Sequence, residues 1–203
     1  MSMVVTAVRL LQNGRYGLFS DDTFLCSLSG GALLEAGVAK GDTLEDEELK
    51  DLLARAQADK ARNKALRLLA GRDHAKAELA RKIARTEGAE AAEAAADEME
   101  RAGLVDDRAF AERFARELFG RRLFGRRRAV LELSRHGVAR TLAEEVCAAL
   151  DDDPVRRAAA FLEKKYPRAS ADEKERRRAL SALERAGYDW DTARDALGLD
   201  TTA

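Results

Sequence analysis

Five arginines fall within eight residues, Arg121, Arg122, Arg126, Arg127 and Arg128, in the segment Gly120-Arg-Arg-Leu-Phe-Gly125-Arg-Arg-Arg. Guanidinium groups stay charged and match phosphates and carboxylates with a planar fork of donors. Neutralising five phosphates would give log K a salt slope of about −4.5. The two glycines imitate the spacing of a nucleotide-binding phosphate loop, which needs Lys then Ser or Thr after the second glycine and a strand before the first. Here Arg126 and Arg127 follow the second glycine and a helical pattern precedes the first. The segment therefore reads as a contact for an anion or an acidic surface. The competing reading is a solvated turn whose arginines pair with acids such as Glu98, Glu100 and Asp151, each exposed pair contributing roughly 0 to 1 kcal/mol. Phe124 is the one ring between the arginines, too few to suggest base stacking.

No other residues gather catalytic chemistry. His74 and His136 are the only histidines and neither has a second ligand at a useful offset, so no metal site is expected. Cys26 and Cys147, 121 residues apart (147−26), read as reduced core thiols. No nucleophile sits in a strand-to-helix turn, and no carboxylates stand out as an acid and base pair. The expectation is a protein that is not an enzyme and uses no cofactor.

The elements that must position the arginines are helical. Gly88, Gly137 and Gly187 recur at intervals of 49 and 50 residues (137−88 and 187−137), each between an apolar pair at helical spacing and a shorter helix. The apolar pairs are Leu79 and Ile83, Val130 and Leu133, and Leu180 and Leu183; the shorter helices are 92–99, 142–150 and 193–197. Such a unit buries its apolar face by stacking on its neighbours. The fold class expected is mainly α: tandem three-helix repeats forming an elongated curved array, with a small N-terminal antiparallel β piece. The divisions are 1–44 for the β-rich region and 45–107, 108–153 and 154–203 for the three repeats. Arrays of this kind bind long partners more often than they turn over small substrates.

Within the β piece, Asn13-Gly14 signals a two-residue hairpin and Asp21-Asp22 a second turn, giving about three strands with Phe24, Cys26 and Leu28 on one face, then a short helix near 31–36. Thr43 is expected to cap a long helix carrying Leu49, Leu52, Leu53, Ala56, Leu66 and Leu69 to about Ala70. Asp73, Asp106 or Asp107, and Asp153 before Pro154 are candidate caps of later helices, and Pro167 should end the helix of Phe161 and Leu162. Phe110, Phe114 and Leu118 share a core-facing stripe.

Net charge is −1, yet residues 87–107 carry eight acids and one Arg while residues 108–140 carry ten Arg and three acids. The blocks can pair internally or meet two partners of opposite sign. No run of 18 apolar residues and no signal-peptide pattern occurs, so a cytoplasmic protein with no membrane partner is expected.

Several of these residues, in this order and spacing, resemble the RecX regulators of the bacterial RecA recombinase. Ala65-Leu66-Arg67-Leu68-Leu69 followed by Arg72, Glu78-Leu79 and Lys82-Ile83 is similar to that family's opening repeat. Leu104, Asp106, Asp107, Phe110 and Ala111 resemble its junction, and Gly125, Arg127, Arg128, Glu132, Leu133, Gly137 and Val138 its second repeat. Residues 154–200 match in periodicity alone. The family usually has Ser where Ala75 stands and a branched apolar residue where Ala129 stands. The resemblance implies a monomer that lies in the groove of a RecA filament on single-stranded DNA. It further implies damped ATP hydrolysis, strand exchange and coprotease activity, and so a role in homologous recombination, DNA repair and the SOS response. Two other readings stay open: a non-specific nucleic-acid-binding protein acting through its basic helical patch, and a helical scaffold with no DNA role.

Overall fold

In the computed structural model, which describes residues 2–199, Asp21 and Asp22 both take left-handed backbone (φ 44° and 61°). That is the requirement of a two-residue hairpin turn matched to strand twist. The turn joins β3 (Tyr16–Ser20) to β4 (Thr23–Leu28), and β2 (Ala7–Leu10) pairs on the other side of β3, all antiparallel. The first hairpin is longer than Asn13-Gly14 alone suggests. The Gly14 amide donates to the Leu11 carbonyl (3.0 Å) and Leu11 to Arg15 (2.8 Å), so the turn is Leu11–Gly14 with Gly14 at φ 75°. Phe24 departs from the expected face. A bulge makes Leu18 face Cys26 while Phe19 faces Phe24, which turns Phe24 away from Cys26 and Leu28 and onto the Phe19 ring.

A second, two-stranded sheet, β1 (Met3–Val4) with β5 (Thr43–Leu44), was not expected. It corrects the cap assigned to Thr43, which lies in β5. Helix α2 (Asp46–Gly71) begins after Glu45, whose side chain and that of Glu48 form the capping box. The short helix α1 (Gly30–Ala36) is capped by the Ser29 hydroxyl. α2 runs unbroken for 26 residues and serves two cores. Its N-terminal half puts Leu49, Leu52 and Ala56 onto Val5, Leu18, Cys26 and Leu28. Its C-terminal half puts Ala61 and Ala65 against Leu79, Ile83, Ala92, Ala96 and Met99 of α3 (Lys76–Glu87) and α4 (Ala89–Arg101).

α3 starts at Lys76, so Asp73 is not at its first turn. Ala75 occupies that boundary, and Asp107 Oδ1 accepts from the Lys76 amide (2.7 Å). The following helices are α5 (Asp107–Gly120), α6 (Arg126–His136), α7 (Arg140–Leu150), α8 (Pro154–Lys165), α9 (Glu173–Ala186) and α10 (Trp190–Ala196). Asp106, Asp153, Asp172 and Asp189 cap α5, α8, α9 and α10 by accepting first-turn amides. Gly137 and Gly187 close α6 and α9 in left-handed conformation.

α5–α7 enclose one core, in which Phe110, Ala111, Leu118, Leu133 and Cys147 are buried with Phe114 half-buried beside them. α8–α10 enclose another around Phe161, Leu162, Leu183 and Tyr188. Each large apolar side chain buried this way stabilises by about 1.5–3 kcal/mol. Ten helices and a small N-terminal antiparallel β part make up the described chain, which is mainly α. It divides into two compact units, one running to Asp73 and resuming over Leu79–Val105, the other made of His74–Glu78 and the chain from Asp106. Residues 200–203, assigned above to the third repeat, lie outside the described residues, as does Met1.

Candidate partner-binding surface

The arginine-rich turn is built between α5 and α6 and is held by the neighbouring repeat. The Gly125 amide donates to the Ala186 carbonyl (2.8 Å), and the Arg127 amide to the Gly187 carbonyl (3.3 Å). Backbones this close leave no room for a side chain: a Cβ on Gly125 would lie 2.4 Å from Gly187 O, and one on Gly187 2.3 Å from Arg128 N. Leu123 takes φ 54°, a costly conformation for a residue other than glycine. Its carbonyl accepts from the Tyr188 hydroxyl (2.9 Å). The next carbonyl, of Phe124, accepts from Arg157 Nε (3.0 Å). Arg157 is buried, pairs with Asp151 and lies over the Phe119 ring (4.3 Å). Burial pushes the Tyr188 hydroxyl up to about 12, against the opposing pull of Arg157, so the group stays a donor at neutral pH.

The five arginines divide on this frame. Arg121 and Arg122 are exposed at the end of α5; Arg122 meets Glu117 at 3.6 Å. They border a groove of about 280 Å³ with Leu123, Phe124, Phe161, Lys164 and Lys165. Arg126 and Arg127 are exposed on the first turn of α6 and line a depression with Val130, Arg140 and Glu144. Arg127 also borders a second groove beside Trp190, which is 62% exposed. Among the described residues Arg121, Arg126 and Arg127 form no ion pair. Arg128 turns inward: it pairs with Glu132 (2.6 Å), lies 5.6 Å from the Phe124 ring centroid and backs onto Gly187.

Two of the acids considered above as partners are otherwise engaged, Asp151 with Arg157 and Glu98 with Arg62. Asp189, the α10 cap, is held below the usual carboxylate range by the Thr192 amide, with a further contribution from the Arg126 charge.

Lys164, Lys165 and Trp190 belong to this surface and were not singled out from the sequence. The adjacent lysines before Pro167 were the available signal, and an isolated lysine pair at a helix end is ordinarily explained by the helix dipole. The histidines form a structural cluster instead. Glu78 Oε2 lies 3.2 Å from both His74 Nδ1 and His136 Nδ1, and the His136 ring packs edge-on to Phe114. No group of three or more His, Cys, Asp or Glu suited to a metal ion occurs among the described residues. Cys147 is fully buried, and burial with the nearby Asp151 charge raises its thiol to about 11, which makes it unreactive. No helix among the described residues is long and apolar enough to cross a membrane.

Comparison with known proteins places the chain in a family. The family model described as RecX, second three-helix domain, matches residues 106–146, which span the arginine-rich turn. The crystal structure of a regulatory protein RecX superposes with a TM-score of 0.72 at 15% identity, covering 98% of this chain and all of that one. RecX from Lactobacillus salivarius gives 0.62 at 20% identity over 72% of this chain and 98% of its own. These two establish likeness of fold. The regulatory protein RecX of Clostridioides difficile is 26% identical over 186 residues, 90% of this chain and 88% of its own. That of Trichlorobacter lovleyi is 36% identical over 137 residues, 64% of this chain and 88% of its own. Relatives such as these are named as regulatory proteins and not as enzymes. Identity at that level over most of a relative's length, with the shared fold, shows that this chain belongs to the RecX family of regulatory proteins.

Proposed function

We propose that this protein regulates the RecA recombinase, mainly as an inhibitor, by binding as a cytoplasmic monomer to the RecA filament on single-stranded DNA. There it modulates ATP hydrolysis, strand exchange and filament stability. The observation that carries this reading is the pair Arg126 and Arg127, exposed and without an ion pair among the described residues, on backbone fixed by the Gly125–Gly187 contact. Unpaired cations on backbone fixed in advance favour association with a charged surface, because only side-chain ordering remains to be lost on binding. Arg128 supports the turn from within.

The test is single-stranded-DNA-dependent ATP hydrolysis by the cognate recombinase, titrated with this protein while DNA is in excess. Inhibition is expected at protein levels far below those that cover the DNA, and it should be lost in the Arg126→Glu/Arg127→Glu variant with helicity unchanged. Inhibition that sets in only as the protein saturates the DNA would replace this reading with a second one, direct non-specific nucleic-acid binding through the same basic patch, which predicts a steep salt dependence.

A further inference from the structure

The groove beside Arg121 and Arg122 differs from the rest of the basic surface because cations from two helix ends far apart in sequence, those of α5 and α8, line it. One wall is the end of α5 with Arg121 and Arg122; the other is the last turn of α8 with Lys164 and Lys165. All four cations are exposed, and among the described residues Arg121, Lys164 and Lys165 have no carboxylate partner. Glu117 meets Arg122 at 3.6 Å with both side chains near half-exposed, a pairing that neutralises little. The helix dipole explains lysines at the end of α8. It equally explains arginines at the end of α5, but not why the two helix ends line one groove, a like-charge arrangement that an acidic occupant would relieve.

The floor between the walls is apolar, formed by Leu123, Phe124 and Phe161. Phe161 is 4% exposed and Lys165 Nζ lies 4.6 Å from its ring centroid, so no open ring face remains for a nucleobase. Its volume of about 280 Å³ falls just below the usual range of small-ligand sites, about 300–1,000 Å³. A phosphodiester backbone would use the cations and leave the apolar floor unused, whereas an acidic peptide with one apolar side chain uses both. The floor is also set in advance, since Tyr188 and Arg157 fix the carbonyls of Leu123 and Phe124.

We propose that this groove docks an acidic segment of a partner protein. An apolar side chain rests on the half-buried Leu123 and Phe124, and flanking carboxylates meet Arg121 and Arg122 on one side and Lys164 and Lys165 on the other. The proposal deepens the reading of the chain as a regulator that acts on a protein, and rests on it for there being such a partner.

The probe is a fluorescein-labelled peptide of glutamates around a single phenylalanine, followed by anisotropy with the full chain. Saturable binding is expected, weakened at least about tenfold in Lys164→Glu/Lys165→Glu, in Arg121→Glu/Arg122→Glu and when glycine replaces the phenylalanine. The charge-keeping Lys164→Arg/Lys165→Arg chain should retain it. Peptide binding unchanged in the reversed variants overturns the proposal. So does a labelled oligothymidylate that binds through these four residues where the peptide does not, which assigns the groove to nucleic acid. Recombinase ATP hydrolysis measured in parallel separates the two readings. Inhibition by a chain that fails to bind the peptide overturns the groove alone; peptide binding by a chain that never inhibits supports the groove and overturns the filament reading.

Discussion

A methyl group added to Gly125 has backbone on the opposite side and nowhere to go. The nearest atoms are Gly187 O at 2.4 Å, Gly187 C at 2.5 Å and Tyr188 N at 2.6 Å. Gly125 has φ −76°, so the requirement is for space and not for a special backbone conformation. Gly125→Ala should therefore cost about 3 kcal/mol, the upper end for overpacking of a rigid contact. Urea melts would show it as a lowered midpoint. Gly120→Ala, with nothing within 4 Å of its Cβ, serves as the control; equal midpoints for the two variants would mean the repeats are not held by this crossing. In the sequence Gly125 stands out for spacing that imitates a phosphate loop and as part of the family resemblance, and neither tells what it touches. Its partner lies 62 residues away (187−125), and no local pattern reports so distant a backbone contact. The same limit applies to Arg128. Five adjacent cations look equivalent in sequence, and only the approach of Gly187 and Glu132 turns one inward.

At the scale of elements, the N-terminal sheet packs on α2 through an apolar core and also meets that helix through one carboxylate. Asp59 accepts from Arg15 Nη2 (2.6 Å), the Ser29 amide (2.8 Å) and the Ser29 hydroxyl (2.7 Å), and Asn63 Nδ2 donates to it from one turn on (2.8 Å). Burial alone would push this carboxyl up. The hydrogen bonds from Ser29 and Arg15 outweigh that and hold it below the usual carboxylate range. A group whose folded pKa is depressed stabilises fully above its unfolded value, and loses that contribution as pH falls through the folded pKa. Asp59→Asn should thus cost about 2 kcal/mol at neutral pH, with the gap between variant and parent closing below about pH 4. Chemical melts from pH 7 down through the acid range check this; a gap that stays constant throughout would show that ionisation of Asp59 contributes nothing to holding the sheet on the helix. Helices and their caps were the legible elements, because Asp106, Asp153 before Pro154, Gly137 and Gly187 act through neighbours a few residues away. The β1–β5 pair escaped because two-residue strands carry no periodicity. The turned face of Phe24 and the bulge escaped because alternation predicts the regular register and not its interruption.

For the molecule as a whole, the two compact units do not part at one point in the chain. Residues His74–Glu78, the approach to α3 and its first turn, belong with the unit that resumes at Asp106, while Leu79 onward belongs with the other. Their contribution is specific. Ala75 is fully buried in the core of Phe110 and Leu133, the Lys76 amide donates to Asp107, Glu78 meets His136, and Ala77 lies 3.0 Å from where a Cβ of Gly137 would stand. The sequence could not show this division, since α3 reads as one unbroken amphipathic helix and the Asp106-Asp107 junction as a clean start. A chain beginning at Asp106 has every helix of the arginine-bearing unit and still lacks these five residues. It leaves the Ala75 site empty and half-buried His136 without its carboxylate. Amide exchange in α5 and α6 should accordingly be at least about tenfold faster in that fragment than in the full chain, a loss of about 1.4 kcal/mol of local stability. Exchange rates equal in the two would mean that the unit's stability resides wholly in the chain from Asp106, and that His74–Glu78 lie against it without supporting it.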